Sequence, residues 1–120
     1  MAVILAPCPS RPNCVSTQAW DARHRMSPIL FRGPAAEAQE RLRRIVQGMA
    51  RAAVTADRPG YLAVSFRSRV FGFVDDAEFV LDGEKGEIHF RSAARTGYYD
   101  FGVNRSRMER IARRFGEERR

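Results

Sequence analysis

Residues 76–91 read Asp76-Ala77-Glu78-Phe79-Val80-Leu81-Asp82-Gly83-Glu84-Lys85-Gly86-Glu87-Ile88-His89-Phe90-Arg91. Ala77, Phe79 and Leu81 alternate with Asp76, Glu78 and Val80, the two-residue period of a half-buried strand. Asp82 to Gly86 supplies turn chemistry, and Ile88 and Phe90 then alternate with Glu87, His89 and Arg91. A loop at 83–86 sets Leu81 against Ile88, Phe79 against Phe90 and Glu78 against Arg91. Apolar meets apolar and acid meets base in one register, which predicts an antiparallel hairpin.

The flanking segments extend this unit. Upstream, Leu62, Val64 and Phe66 alternate with Ala63, Ser65 and Arg67 after a Pro59-Gly60 turn, and a further strand over 52–57 is compatible with the pattern. Before that, Ala38, Leu42, Ile45, Val46, Met49 and Ala53 recur at helical spacing behind Pro34, which suits a first helical turn. Glu37 with Arg41 and Glu40 with Arg44 lie four apart in the favourable order. Downstream, Met108, Ile111, Ala112 and Phe115 form a second helical stripe. Asn104 fits its N-cap, Val103 with Met108 a hydrophobic staple, and Gly116 its stop.

Residues 1–33 show no sustained period and are expected to be an extended arm, anchored by Trp20, Ile29, Leu30 and Phe31 on a domain formed by residues 34–120. The expected fold is α+β: an antiparallel sheet of three to four strands with two helices on one face. A chain of 120 residues holds one such core.

Composition narrows the function classes. The net charge is +7, with 44% hydrophobic and 29% charged residues. Twenty of the 21 basic side chains are arginine and Lys85 is the one lysine, a bias that base composition alone produces. The arginines are interleaved with acids along most of the chain, which disfavours nucleic acid as a partner. The basic last helix reads first as a solvated face. The apolar run from Ala2 to Ala6 is too short to span a bilayer, and no complete export signal is visible.

Four ordered motifs carry a resemblance. Cys8-Pro9-x-x-Pro12-Asn13-Cys14-Val15-Ser16 comes first, followed by Phe66-Arg67-Ser68. Then come Phe71-Gly72-Phe73-Val74-Asp75-Asp76-x-Glu78-Phe79 and the stretch from Arg91-Ser92-Ala93 to Asn104-Arg105. Together they resemble DUF1499, a bacterial and plastid family defined as a domain of unknown function, over nearly the whole chain. The resemblance implies no activity. It does imply that many members carry a membrane segment or export signal ahead of the first cysteine. The expectation is a cytoplasmic protein as the sequence stands, and a cell-envelope protein if an export segment lies upstream.

Cys8 and Cys14 have five residues between them, close enough for a disulfide if the segment bends and equally compatible with packed thiols in a reducing compartment. Redox chemistry ranks next. Zinc ranks last, since only His24 offers a third ligand nearby.

The polar side chains set the site expectation. The sheet face away from the core collects Ser65, Arg67, Asp76, Glu78, His89 and Arg91. One account is cross-strand ion pairing that fixes register. The other is a pocket, closed by the arm or by residues 92–103, in which arginine forks grip a carboxylate or phosphate. Asp75 and Asp76 are adjacent in a strand and point to opposite faces, so a shared metal is disfavoured. Tyr98, Tyr99 and Phe101 either stack a ring or plug the core edge, with Asp100 pairing an arginine. Arg105 sits in a first helical turn, where a cation is unfavourable, and is expected to have an acidic partner or a ligand. His24 reads as a pin for the arm and His89 as an ion-paired residue.

The leading expectation is a non-enzymatic module that binds an anionic small molecule or an acidic partner, with no cofactor and no metal. Arg67, Arg91, Arg95 and Arg105 hold the negative group, Asp75, Asp76 and Glu78 orient them, and Tyr98, Asp100 and Asn104 form the rim. The alternatives are a small hydrolase pairing one of those acids with His89 or His24, and a membrane-surface assembly factor that uses the last helix.

Overall fold

The computed structural model describes residues 4–118. The architecture is α+β, with two helices and an antiparallel sheet of six strands rather than three to four. The strands are β1 (Cys14–Ser16), β2 (Ile29–Leu30), β3 (Ala52–Arg58), β4 (Tyr61–Arg67), β5 (Val74–Asp82) and β6 (Glu87–Ala94). The helices are α1 (Ala35–Gln47), before β3, and α2 (Val103–Glu118), after β6. The sheet runs β1-β6-β5-β4-β3, and β2 pairs with the same edge of β6 as β1.

The central hairpin has the register its side chains require: Glu78 opposite Arg91, Phe79 opposite Phe90 and Leu81 opposite Ile88. The core lies between one sheet face and both helices. Leu62, Val64, Phe66, Phe79, Ile88 and Phe90 meet Leu42 and Val46 of α1 and Met108, Ile111 and Phe115 of α2, all buried. Both helices therefore cover a single face, as the apolar stripes require.

Several expectations change. The two added strands come from the arm, where Val15 pairs with Ser92 and Ile29 with Ile88. Ile29 and Phe31 anchor the arm, whereas Trp20 and Leu30 are exposed. His24 is buried and ties the arm to itself: its ring nitrogens meet the Asp21 carboxylate at 2.6 Å and the Arg11 carbonyl at 2.7 Å. Burial would raise the Asp21 carboxyl, but the bond and charge of His24 outweigh it and hold that group low.

The helical stripe stops at Gln47 rather than continuing to Ala53. The Gly48 N–H closes the last turn on the Arg44 and Ile45 carbonyls, and Ala53 belongs to β3. Arg51 turns the chain between them with φ 56°, a left-handed conformation that costs a non-glycine residue energy.

The sheet end that matters below follows from the strand directions. β4 ends at Arg67, β5 begins at Val74 opposite it, and β6 ends at Ala94 opposite Asp75. The β4–β5 loop (68–73) and the β6–α2 loop (95–102) therefore leave the same end, which we term the open end. Arg51 and Gly48 lie there too, because Ala52 pairs with Phe66. Asp57, Asp82, Glu84 and Glu87 lie at the other end.

Candidate functional site

The uncovered sheet face carries the expected row of Ser65, Arg67, Asp76, Glu78, His89 and Arg91, since each alternates with a core residue. Few of these side chains converge. Arg95 takes Asp76 in a two-point grip at 2.9 and 2.7 Å, in solvent. That bond and the Asp76 charge raise the Arg95 pKa further. Glu78 accepts from the Tyr61 hydroxyl at 2.6 Å. Burial, and then that bond, push the Tyr61 phenol up to about 12. His89 meets Thr17 at 2.8 Å and Glu87 at 3.1 Å. Arg91 donates to the Pro7 carbonyl at 3.4 Å, so the arm crosses its head group, while its buried Nε has no hydrogen-bond partner among the described residues.

The other expected site residues lie elsewhere. Asp75 points to the helix side and pairs with Arg107 at 3.0 Å, both side chains 13% exposed. Asp100 pairs with no arginine among the described residues. Its two oxygens accept from the Gly102 and Asn104 N–H groups at 2.9 and 3.0 Å, so Asp100 performs the helix capping expected of Asn104. Asn104 is one residue inside α2, fully buried, and bonded to Ser92. Arg105 has no acidic partner among the described residues. It donates to the Arg23 and Arg25 carbonyls at 2.8 and 3.2 Å, at one wall of a cleft of about 630 Å3 between the arm and α2. Carbonyls of the arm, rather than a carboxylate, are the partners of the cation in that first turn. The four-arginine grip of Arg67, Arg91, Arg95 and Arg105 is thus not assembled.

Tyr98, Tyr99 and Phe101 do not plug the core edge. They are 63%, 64% and 85% exposed on the open-end loop. Cys8 and Cys14 form a disulfide, which ties the arm to the start of β1.

A different arginine cluster is assembled at the open end. A cleft of about 250 Å3 is lined by Met49, Ala50, Arg51, Phe66, Arg67, Ser68, Asp75, Val103, Arg107 and Arg110. Its lining holds four arginines and one acid, and that acid, Asp75, is occupied by Arg107; the Arg67 side chain leaves on the opposite sheet face from Asp75. Arg107 also lies over the Phe66 ring, 4.5 Å from its centroid, which fixes its plane. Arg51 and Arg67 are locked together, as the Arg67 N–H donates to the Arg51 carbonyl and Arg51 Nε donates back to the Arg67 carbonyl. Arg67 also donates to the Gly72 carbonyl at 3.1 Å. Carbonyl acceptors leave a guanidinium its full charge, so the lining carries more positive than negative charge.

Sequence reasoning found Arg67 and Asp75 here and missed Arg51, Arg107 and Arg110. The i, i+3 spacing of Arg107 and Arg110 on one helix face was the available signal. Nothing local marked Arg51.

Among the described residues no helix is long and apolar enough to cross a membrane. No curated protein and no solved structure shows a significant match to this chain. The family comparison does: a family described as protein of unknown function (DUF1499) matches residues 4–115, nearly the whole length, and the chain belongs to that family.

Proposed function

We propose that the chain is a non-enzymatic module that binds the anionic group of a small molecule or acidic partner in the open-end cleft. The observation that carries this reading is the imbalance of three arginines, Arg51, Arg107 and Arg110, against the single, already paired Asp75. Arginine forks recognise phosphate and carboxylate by paired N–H donors. A volume near 250 Å3 falls below that of most drug-sized pockets, which favours a phosphate-sized group over a large ring system. Arg107 is held by Asp75 and Phe66 and supplies a fixed fork. Arg51 and Arg110 are exposed and close on the ligand.

Titration of the protein with inorganic phosphate, glycerol phosphate and citrate, followed by thermal unfolding and by NMR of the arginine Nε–H signals, tests this. Ligand at a hundred times its Kd adds about 2.7 kcal/mol of stability. The expected result is a raised Tm with shifts confined to Arg51, Arg107 and Arg110, both abolished in R51Q/R110Q. A flat Tm with unmoved arginine signals for all three anions overturns the reading.

A further inference from the structure

The open end carries a second feature, which the cleft alone does not require. Val70, Phe71 and Phe73 on the 68–73 loop are 77%, 77% and 60% exposed, beside Tyr98, Tyr99 and Phe101 on the 95–102 loop. Apolar exposure concentrated on two neighbouring loops marks an interaction surface rather than chance. Both loops are built to project. Ser68 closes the first from both sides, its N–H donating to the Phe73 carbonyl at 2.7 Å and its hydroxyl accepting from the Phe73 N–H at 2.9 Å. On the second, Phe101 is held at φ 55° ahead of Gly102 at φ 77°, two left-handed residues in succession that turn the phenylalanine outward. The arginine cleft borders both loops, for its lining includes Ser68, the first residue of one, and Val103, the residue that follows the other.

We infer that the open end is a docking surface for an anionic lipid membrane: the aromatic tips enter the headgroup region while the cleft takes a lipid phosphate. The inference rests on the anion-binding reading of the cleft. Charge complementarity selects this occupant. Asp75, Asp76 and Asp100, the acids of the open end, are engaged by Arg107, Arg95 and the α2 backbone. Asp82, Glu84 and Glu87 lie at the far end. Projecting aromatic side chains beside arginine match the composition of membrane-interface segments. Single-stranded nucleic acid fits less well, because successive bases stack on ring faces presented in parallel, and here the rings pair at a tilt, Phe71 with Phe73 at 34° and Tyr99 with Phe101 at 51°.

Flotation of the intact chain with phosphatidylglycerol/phosphatidylcholine vesicles, and with phosphatidylcholine alone, tests the inference. Glycerol phosphate titration by NMR is run in parallel. The expected result is partitioning to the anionic vesicles only, weakened at least about tenfold by F71S/F101S and by R51Q/R110Q. F71S and F101S change exposed side chains, so unaltered circular dichroism and Tm accompany the loss. Glycerol phosphate binding without vesicle binding overturns the membrane inference and leaves the cleft reading standing. Loss of both overturns the two together. Vesicle binding unaffected by F71S/F101S, or tighter binding to a single-stranded oligonucleotide than to anionic vesicles, also overturns it.

Discussion

Ser92 Oγ donates to Asn104 Oδ1 across 2.5 Å, joining β6 to the first turn of α2 where neither residue reaches solvent. Asn104 Nδ2 in turn donates to Asp100 at 2.9 Å. Removing one member leaves a buried polar group without a partner, which costs about 1–3 kcal/mol. Asn104→Ala is therefore expected to destabilise by about 3 kcal/mol in urea unfolding, and Ser92→Ala by less. The double variant should cost less than the sum, with a coupling of at least about 0.5 kcal/mol.

Adjacent aspartates differ in weight. Asp75 and Arg107 are each 13% exposed at the side chain, whereas Asp76 and Arg95 are 45% and 57% exposed. Breaking a sheltered pair leaves an uncompensated cation and costs about 3 kcal/mol. An exposed pair contributes less than about 1 kcal/mol. Asp75→Asn should lower the urea midpoint clearly while Asp76→Asn barely moves it. Equal effects would contradict the placement of Asp75 beneath the helices.

The pH dependence near the alkaline limit reports on Tyr61. Its phenol is raised from 10.0 to about 12, by burial first and by the bond to Glu78 second. The folded chain thus keeps a proton that the unfolded chain loses, so this contribution is complete below pH 10 and disappears as pH rises to about 12. Tyr61→Phe should flatten that decline and cost about 1 kcal/mol at neutral pH. The wild-type minus Tyr61→Phe absorbance difference near 295 nm should titrate with its midpoint near 12.

Reducing the Cys8–Cys14 bond opens a loop with a sequence separation of 6. Chain entropy assigns a closure of that size about 2 kcal/mol. Reductant should lower the Tm by several degrees and make the wild type match Cys8→Ser/Cys14→Ser. An unchanged Tm with both thiols free in a thiol assay would show that the arm docks without its clasp.

The hairpin was legible because period, turn and cross-strand pairing all sit within sixteen consecutive residues. β1 and β2 were not. Strands of three and two residues are too short to show a period, and the free edge of β6 specifies them rather than their own sequence. The site was half legible for a related reason. Alternation placed Asp75 and Asp76 on opposite faces, but which arginine met each depended on tertiary approach. Arg105 and Arg107 lie about 200° apart around a helix, so one reaches the arm and the other the sheet. Arg105 was misjudged because a charge's partner was sought among charges, whereas main-chain oxygens supplied it.

The edge of β6 is completed by segments translated long before it. Residues 14–16 and 29–30 leave the ribosome with no partner strand until residues 87–93 have emerged. The arm therefore takes its place in the sheet only after β6 has been made, so closure recruits a segment synthesised well before its partner.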